Sequence, residues 1–441
     1  MSVKQTDRLI LFPQGTNVNI KGHLEIGGCD TGELVAKYGT PLYVFDEGTL
    51  RTTAKEFKDE FRKRYPKTTV LYACKAFLNR AILALMKEEG IGLDVVSGGE
   101  ISIAREFDFP METVSFPGNN KSEEELRLAL EYGVGRIVVD NFDEITTLGR
   151  IAKSTRQQVN ILIRISPGID PHTHRHIATG NIDSKFGFPL VQAEKALLAA
   201  AVIPQFNLIG LHFHAGSQLT TTEPYRAAIE AVLDFAARMK REHNFNMQEL
   251  SVGGGFPVQM TINAPMTPLA TFAETITALI RDKCQQAGMA QPRLIIEPGR
   301  AMAARAGVAL YTVGFSKEIP DIRTYISVDG GMGDNIRPAL YQDEMEAVLA
   351  NRMNYPVKGR YTIAGKFCES GDVLIKDIEM PEMTAGDILA VPGCGAYNIP
   401  QSCNYNAFLR PAVVMVKDGK PRLIRRRETI ADLIRCDVTE E

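Results

Sequence analysis

Thr68-Thr-Val-Leu-Tyr-Ala-Cys-Lys-Ala-Phe77 is a β-prone apolar run that ends on a single lysine and passes at once into a helical pattern. The helix shows its apolar face at Leu78, Ile82, Leu85 and Met86, and a second short apolar run, Leu93-Asp-Val-Val96, follows it. Ser97-Gly-Gly-Glu100 then has the S-x-x-E form of a capping box and predicts the start of the next helix. The same unit recurs along the chain. Val114-Ser-Phe116 precedes the box Ser122-Glu-Glu-Glu125, and Ile137-Val-Val139 precedes a helix around Asp143 to Ala152. Ile161-Leu-Ile-Arg-Ile165 leads through an insertion to the helix Val191 to Ala201. Leu208-Ile-Gly-Leu-His-Phe-His214 leads to the helix Tyr225 to Lys240, and Glu249-Leu-Ser-Val252 to the helix Leu269 to Gln286; Leu294-Ile-Ile-Glu297 closes the series.

Eight strand signals with a helix after each of the first seven require parallel strands and crossover helices, and eight is the number that closes a (β/α)8 barrel. An open doubly wound sheet is the alternative, because a strand count does not show closure. After Arg300 the texture changes to β-prone runs: Val308 to Val313, Tyr325 to Asp329, Asp387 to Val391 and Pro411 to Val416. Before the barrel, Asn17 to Ile20 and Pro41 to Phe45 read as strands around a short helix, Thr31 to Tyr38, too small to hold a core alone. The expected organisation is therefore a barrel over 46–302, with 1–45 and 303–441 forming one β-rich domain that the N-terminal strands complete.

Composition excludes several function classes. Of 441 residues, 44% are hydrophobic and 23% charged, near the globular average, so disorder has no support. A formal net charge of -3 without a basic run offers no footprint for nucleic acid or an anionic membrane. No apolar stretch is long enough to span a bilayer, and the N-terminal residues lack a signal-peptide pattern, which makes a cytoplasmic location the expectation. Seven cysteines (29, 74, 284, 368, 394, 403 and 436), an odd number without CxxC spacing, suit reduced thiols.

Barrel enzymes place their chemistry at the C-terminal ends of the strands, and the unusual residues fall there. Lys75 follows the first strand, Asp94 and Ser97 the second, Arg164 the fifth, His212 and His214 the sixth, Gly253-Gly-Gly255 the seventh and Glu297 the eighth. A lysine so placed can form a Schiff base with pyridoxal phosphate; otherwise it is a solvated strand-end lysine. The glycine triplet suits a phosphate nest or a plain turn, and Ser217 could add a hydroxyl. Glu297 could face a pyridine nitrogen, or pair with Arg300. His172, His174 and His176 share one face of an extended strand, but no acidic or cysteine partner is spaced beside them, and no metal is expected.

Tyr72-Ala-Cys-Lys-Ala-Phe77, Asp94-Val-Val-Ser-Gly-Gly-Glu100, Gly118-Asn-Asn-Lys-Ser122, Ser184-Lys-Phe-Gly187, His214-Ala-Gly-Ser-Gln218, Gly253-Gly-Gly255, Glu297-Pro-Gly-Arg300, Asp329-Gly-Gly331, Arg337-Pro-Ala-Leu-Tyr341, Cys368-Glu-Ser-Gly-Asp372 and Gly395-Ala-Tyr397 together resemble the diaminopimelate decarboxylases over nearly the whole chain. The resemblance implies a pyridoxal phosphate enzyme with an alanine-racemase-like barrel that converts meso-2,6-diaminopimelate to L-lysine and carbon dioxide, the last step of lysine biosynthesis. It implies Lys75 as the Schiff-base lysine and Cys368 as proton donor. Asp94, Arg164, His214, Ser217, Gly253, Gly254, Gly255, Glu297, Gly299, Arg300 and Tyr397 would contact the cofactor, with His214 stacked on the ring. Arg300, Arg337, Tyr341, Glu369 and Tyr397 would contact substrate, Glu369 reading its distal ammonium. Cys368 and Glu369 would enter from the other subunit of a homodimer with shared active sites. Two departures touch the phosphate region: Ala215 stands where the family usually has a bulkier β-branched residue, and Phe256-Pro257-Val258 where a glycine commonly follows the triplet. A racemase, an ornithine, lysine or arginine decarboxylase, and a non-catalytic cofactor-holding protein are the rival readings. Glu297 weighs against the first, Arg337 and Glu369 against the second, and Cys368, Arg337 and Glu369 against the third.

Overall fold

A computed structural model describes residues 4–168 and 184–438. The chain divides into two compact units, one of Thr53–Pro257 with Met266–Ala301, the other of Met1–Thr52, Val258–Pro265 and Met302–Glu441.

In the first unit eight parallel strands alternate with helices. The strands are β1 (Thr68–Ala73), β2 (Gly92–Asp94), β3 (Val114–Phe116), β4 (Arg136–Val139), β5 (Val159–Ser166), β6 (Phe206–His212), β7 (Glu249–Ser251) and β8 (Arg293–Ile296). The helices that follow the first seven are α1 (Arg80–Glu88), α2 (Gly98–Glu106), α3 (Glu123–Glu131), α4 (Phe142–Thr155), α5 (Leu190–Ala201), α6 (Glu223–His243) and α7 (Leu269–Gln286). Closure is explicit. β8 pairs with β1 (Leu294 opposite Thr68), and β4 pairs with β5 (Ile137 opposite Ile161), so the sheet has no open seam and the doubly wound alternative falls away. The short strand Phe188–Pro189 pairs parallel with the end of β5. Val70, Leu93, Ile137, Ile161, Leu211, Leu250 and Ile296 are buried, each worth roughly 1.5–3 kcal/mol of transfer free energy.

Local signals start the helices largely as read. At α3 the capping box is complete: Glu125 N–H donates to Ser122 Oγ (3.1 Å), and Ser122 N–H to Glu125 Oε2 (2.9 Å). At α2 only half of it forms. Ser97 Oγ accepts from Glu100 N–H, but the Glu100 carboxylate takes the amide of Val96 (2.7 Å), while Glu125 Oε1 reaches across from α3 to the Gly98 amide (2.7 Å). The first-turn donors are thus shared with a neighbouring helix.

Phe256 does not crowd the glycine triplet. Its ring lies among Phe57, Phe61, Tyr225 and Phe272, with centroids 5.2–5.8 Å away. The departure from the family pattern is thereby absorbed into an aromatic cluster. Replacing a ring buried this well leaves a cavity, so Phe256→Ala is expected to destabilise the protein by about 3–5 kcal/mol. Urea unfolding checks this, and a loss below about 1 kcal/mol would refute the packing argument.

In the second unit a nine-stranded sheet carries the run Val373–Met380, Gly359–Ala364, Arg323–Val328, Gly307–Ile319, Leu42–Asp46, Ala412–Lys417 and Lys420–Arg425. Leu42–Asp46 lies antiparallel to Gly307–Ile319 and parallel to Ala412–Lys417. The N-terminal completion therefore rests on this strand. Asn17–Val18 instead joins a separate three-stranded sheet with Leu24–Ile26 and Cys29–Asp30, and the helix Thr31–Tyr38 forms as predicted.

Candidate active site

The polar residues at the strand ends of the barrel meet at one mouth. Lys75 lies in the single turn Cys74–Ala76 after β1 and is exposed, whereas Tyr72, Ala73, Cys74 and Ala76 around it are buried. Its charge acts on three neighbouring groups: Asp94, Glu100 and His214.

Glu297, at the end of β8, is gripped on both oxygens, Oε2 3.1 Å from His212 Nε2 and Oε1 accepting from Ser251 Oγ at 2.7 Å. Burial alone would raise this carboxyl; the His212 charge, its hydrogen bond and that of Ser251 bring it down to about 2, so Glu297 is held ionised. Asp94 goes the other way. Burial and the Glu297 charge push it well above the usual carboxylate range, with Lys75 acting against the shift, and its Oδ1 is buried without a hydrogen-bond partner among the described residues. Two carboxylates of opposite tendency thus share the site.

Arg164 faces both. Burial lowers its guanidinium, and Asp140 (3.6 Å from Nη1), Glu297 and Asp94 support its charge. Its guanidinium lies 4.4 Å from the centre of the Phe186 ring, and Asp140 Oδ2 accepts the Gly187 amide at 2.9 Å. Behind Asp140, the Lys121 side chain is buried, donating to Gly118 O, Val138 O and Glu144 Oε1, while Glu144 Oε2 accepts the Asp140 amide. This gives the Gly118-Asn-Asn-Lys121 motif a structural role in holding the end of β4. Asp140 and Ser251 were missed in the sequence, although both stand where the strand-end rule looks.

The glycine triplet is required by close approach. Gly253 has φ +71°, and a Cβ there would lie 2.7 Å from His214 Nδ1; at Gly254 it would meet Glu297 O at 2.3 Å, and at Gly255, φ +114°, Gly216 O at 2.5 Å. Two of its amides are engaged internally, Gly253 N–H on Ser251 Oγ and Gly254 N–H on His214 Nδ1. Accepting at Nδ1 makes His214 a neutral imidazole there. Burial, then Lys75 and Arg164, push it down to about 3. Tyr225 donates to Gly254 O at 2.7 Å and fixes the triplet from the α6 side. Ser217 is exposed in the same loop region, Ala215 is buried, and Gly299 is buried beside the partly buried Arg300.

The sequence of residues 49–304 matches the pyridoxal-dependent decarboxylase, pyridoxal binding domain. Diaminopimelate decarboxylases of Halalkalibacterium halodurans and Bacillus subtilis are each 45% identical over 431 residues, 97% of this chain and 98% of theirs. The chain belongs to the diaminopimelate decarboxylase family. Among solved structures, that of the diaminopimelate decarboxylase from m. jannaschii in co-complex with L-lysine superposes with a TM-score of 0.91 at 34% identity, over 97% of this chain and 98% of that one.

The remaining candidate residues lie in the β-rich unit. Arg337 is buried, its Nε held by Asp343 Oδ2 at 2.6 Å, and its guanidinium lies 4.8 Å from the Tyr341 ring centre and 5.4 Å from that of Tyr397. Arg337, Tyr341 and Tyr397 are thus brought together, and Asp343 is an unforeseen fourth member. Cys368 and Glu369 form an exposed turn after the strand Gly359–Ala364. His172, His174 and His176 lie outside the described residues. Among the described residues, Glu194, Glu242 and His243 have metal-ligand proximity, but Arg238 donates to both carboxylates of this exposed group.

The residues at the barrel mouth fit pyridoxal phosphate. A buried, unpartnered Asp94 oxygen, an ionised Glu297, a neutral imidazole and a loop kept free of Cβ atoms surround an accessible lysine. No helix among the described residues is long and apolar enough to cross a membrane.

Proposed function

We propose that this protein decarboxylates meso-2,6-diaminopimelate to L-lysine and carbon dioxide with pyridoxal phosphate, as the last step of lysine biosynthesis in the cytoplasm. The single observation that carries the reading is the Glu297 carboxylate, gripped on both oxygens by His212 and Ser251 at the barrel mouth, within a chain 45% identical to diaminopimelate decarboxylases over nearly its full length. A lysine-bound neighbour of 34% identity supports the product.

When bound, pyridoxal phosphate supplies an electron sink for the electrons left by the departing carboxylate. Lys75, accessible at the end of β1, would hold the cofactor through its amine. Glu297, fixed by His212 and Ser251, would offer its charge to the ring nitrogen, and His214, accepting the Gly254 amide at Nδ1, would meet the ring as a neutral imidazole. Asp94, Arg164, Tyr397 and the Gly299–Arg300 segment complete the cofactor's surroundings; with Gly253 and Gly254 engaged inside the protein, Gly255 and Ser217 are the groups left for the phosphate. Arg300, Arg337 and Tyr341 receive substrate carboxylates, Arg337 through the edge that Asp343 does not occupy.

The sites are shared in a homodimer. Cys368 of the partner subunit returns the proton to the α-carbon, and Glu369 of the partner subunit reads the distal ammonium. Carbon dioxide release from meso-diaminopimelate, measured beside ornithine, lysine and arginine, tests the substrate; release from any of the other three at a higher kcat/KM would reassign it.

Glu369→Ala and Arg337→Ala each remove a charged contact to the substrate's distal head. Each is expected to lower kcat/KM for diaminopimelate by about 10²-fold, the scale of a truncated buried charge pair, with cofactor absorbance retained. Wild-type turnover in either variant would show that the head is read elsewhere.

A further inference from the structure

The turn that carries Cys368 is gripped by a second turn from the same unit. Asn406 Oδ1 accepts the Cys368 N–H at 2.8 Å, and the Tyr405 hydroxyl donates to the Cys368 carbonyl at 3.4 Å. Both backbone groups of the cysteine are therefore held, while the cysteine itself stays exposed.

The gripping turn has an uncommon backbone. Asn406 stands at φ 54°, ψ 24°, and Ala407 at φ 58°, both in the left-handed region that side chains disfavour and that asparagine tolerates best among residues with a Cβ. Its surroundings over-determine that shape. Ala407 N–H donates to Asn404 O, and the Asn404 amide donates to Phe408 O and to Glu428 Oε2. Phe367, the residue before Cys368, stacks on Tyr405 (6.3 Å, 12°) and meets Phe408 edge-on (5.0 Å, 80°). The buried Asp372 also accepts the amides of Phe367 (2.9 Å) and Met332 (2.6 Å). Strain retained against such alternatives points to a use.

We propose that Asn406 is a positioning residue for Cys368: its left-handed backbone aims the side-chain carbonyl at the Cys368 amide and so sets the direction of the thiol and of Glu369 beside it. The proposal deepens the functional reading above and rests on it for the role of the thiol. Residue choice at 406 is narrow on this account. Glycine, asparagine and aspartate suit the backbone, and of these only asparagine and aspartate bring an acceptor.

Two variants separate the contributions. Asn406→Gly keeps the left-handed backbone and removes the acceptor; Asn406→Asp keeps both. In the holoenzyme, amide hydrogen exchange at Cys368 should accelerate by about tenfold or more in Asn406→Gly and stay within about threefold of wild type in Asn406→Asp. A misplaced proton donor acts on the chemical step, so kcat for diaminopimelate should fall by about 10- to 100-fold in Asn406→Gly, with KM within about threefold and the cofactor absorbance unchanged. Asn406→Asp should recover most of that loss. Wild-type exchange at Cys368 in Asn406→Gly, or equal impairment of the two variants, would overturn the proposal. Faster exchange at unchanged kcat would overturn the positioning role where Cys368→Ala itself lowers kcat, and would remove Cys368 from proton transfer where Cys368→Ala does not, so the two readings fail separately.

Discussion

Borohydride reduction of the holoenzyme is expected to fix the cofactor to Lys75, and Lys75→Ala to lose at least about 10³-fold in kcat, the scale of removing a positioned catalytic group. The argument is positional. Lys75 is exposed at the end of a buried strand, and its charge reaches Asp94, Glu100 and His214 at the mouth where Glu297 is held ionised. Lys121, whose side chain is buried in the same unit, is consumed instead by Glu144 and two carbonyls. Mass spectrometry that located the reduced adduct on a different lysine would sink the assignment.

The second large effect concerns assembly. Lys75 belongs to the barrel unit, and Cys368 to the β-rich unit. If Cys368 of the partner subunit completes each site, inactive Lys75→Ala and Cys368→Ala proteins should regain activity when mixed under subunit exchange. One site of a mixed dimer then draws both wild-type residues, and the other carries both lesions. With random exchange half the dimers are mixed, so recovery should reach about a quarter of wild-type activity. Exchange verified by mass without any recovery would mean that each subunit builds its site alone.

Much of the barrel was legible because its signal is local. The apolar runs at Val70, Leu93 and Ile161 repeat every second residue or continuously, the helix faces every third or fourth, and Ser122 with Glu125 marks a helix start within four residues. Lys75, Glu297 and the glycine triplet could be singled out by the same means, since strand ends follow from strands. At Ser97 the local reading went only halfway: the amide that the box assigns to Glu100 loses to Val96, and Glu125 of the next helix takes Gly98.

The sequence by itself determined the order of strands and helices, the change to β texture after Arg300 and the residues worth suspecting. Tertiary structure alone decided closure of the barrel, the partners that hold Glu297 ionised, the Asp343 contact on Arg337 and the grip of Asn406 on Cys368. The reason is range. Periodicity and capping act between residues a few positions apart, whereas Glu297 meets His212 across 85 residues and Ser251 across 46, and Asn406 meets Cys368 across 38. Such pairs are set by how whole elements pack, and a polar side chain carries no local mark of which distant group will desolvate or satisfy it.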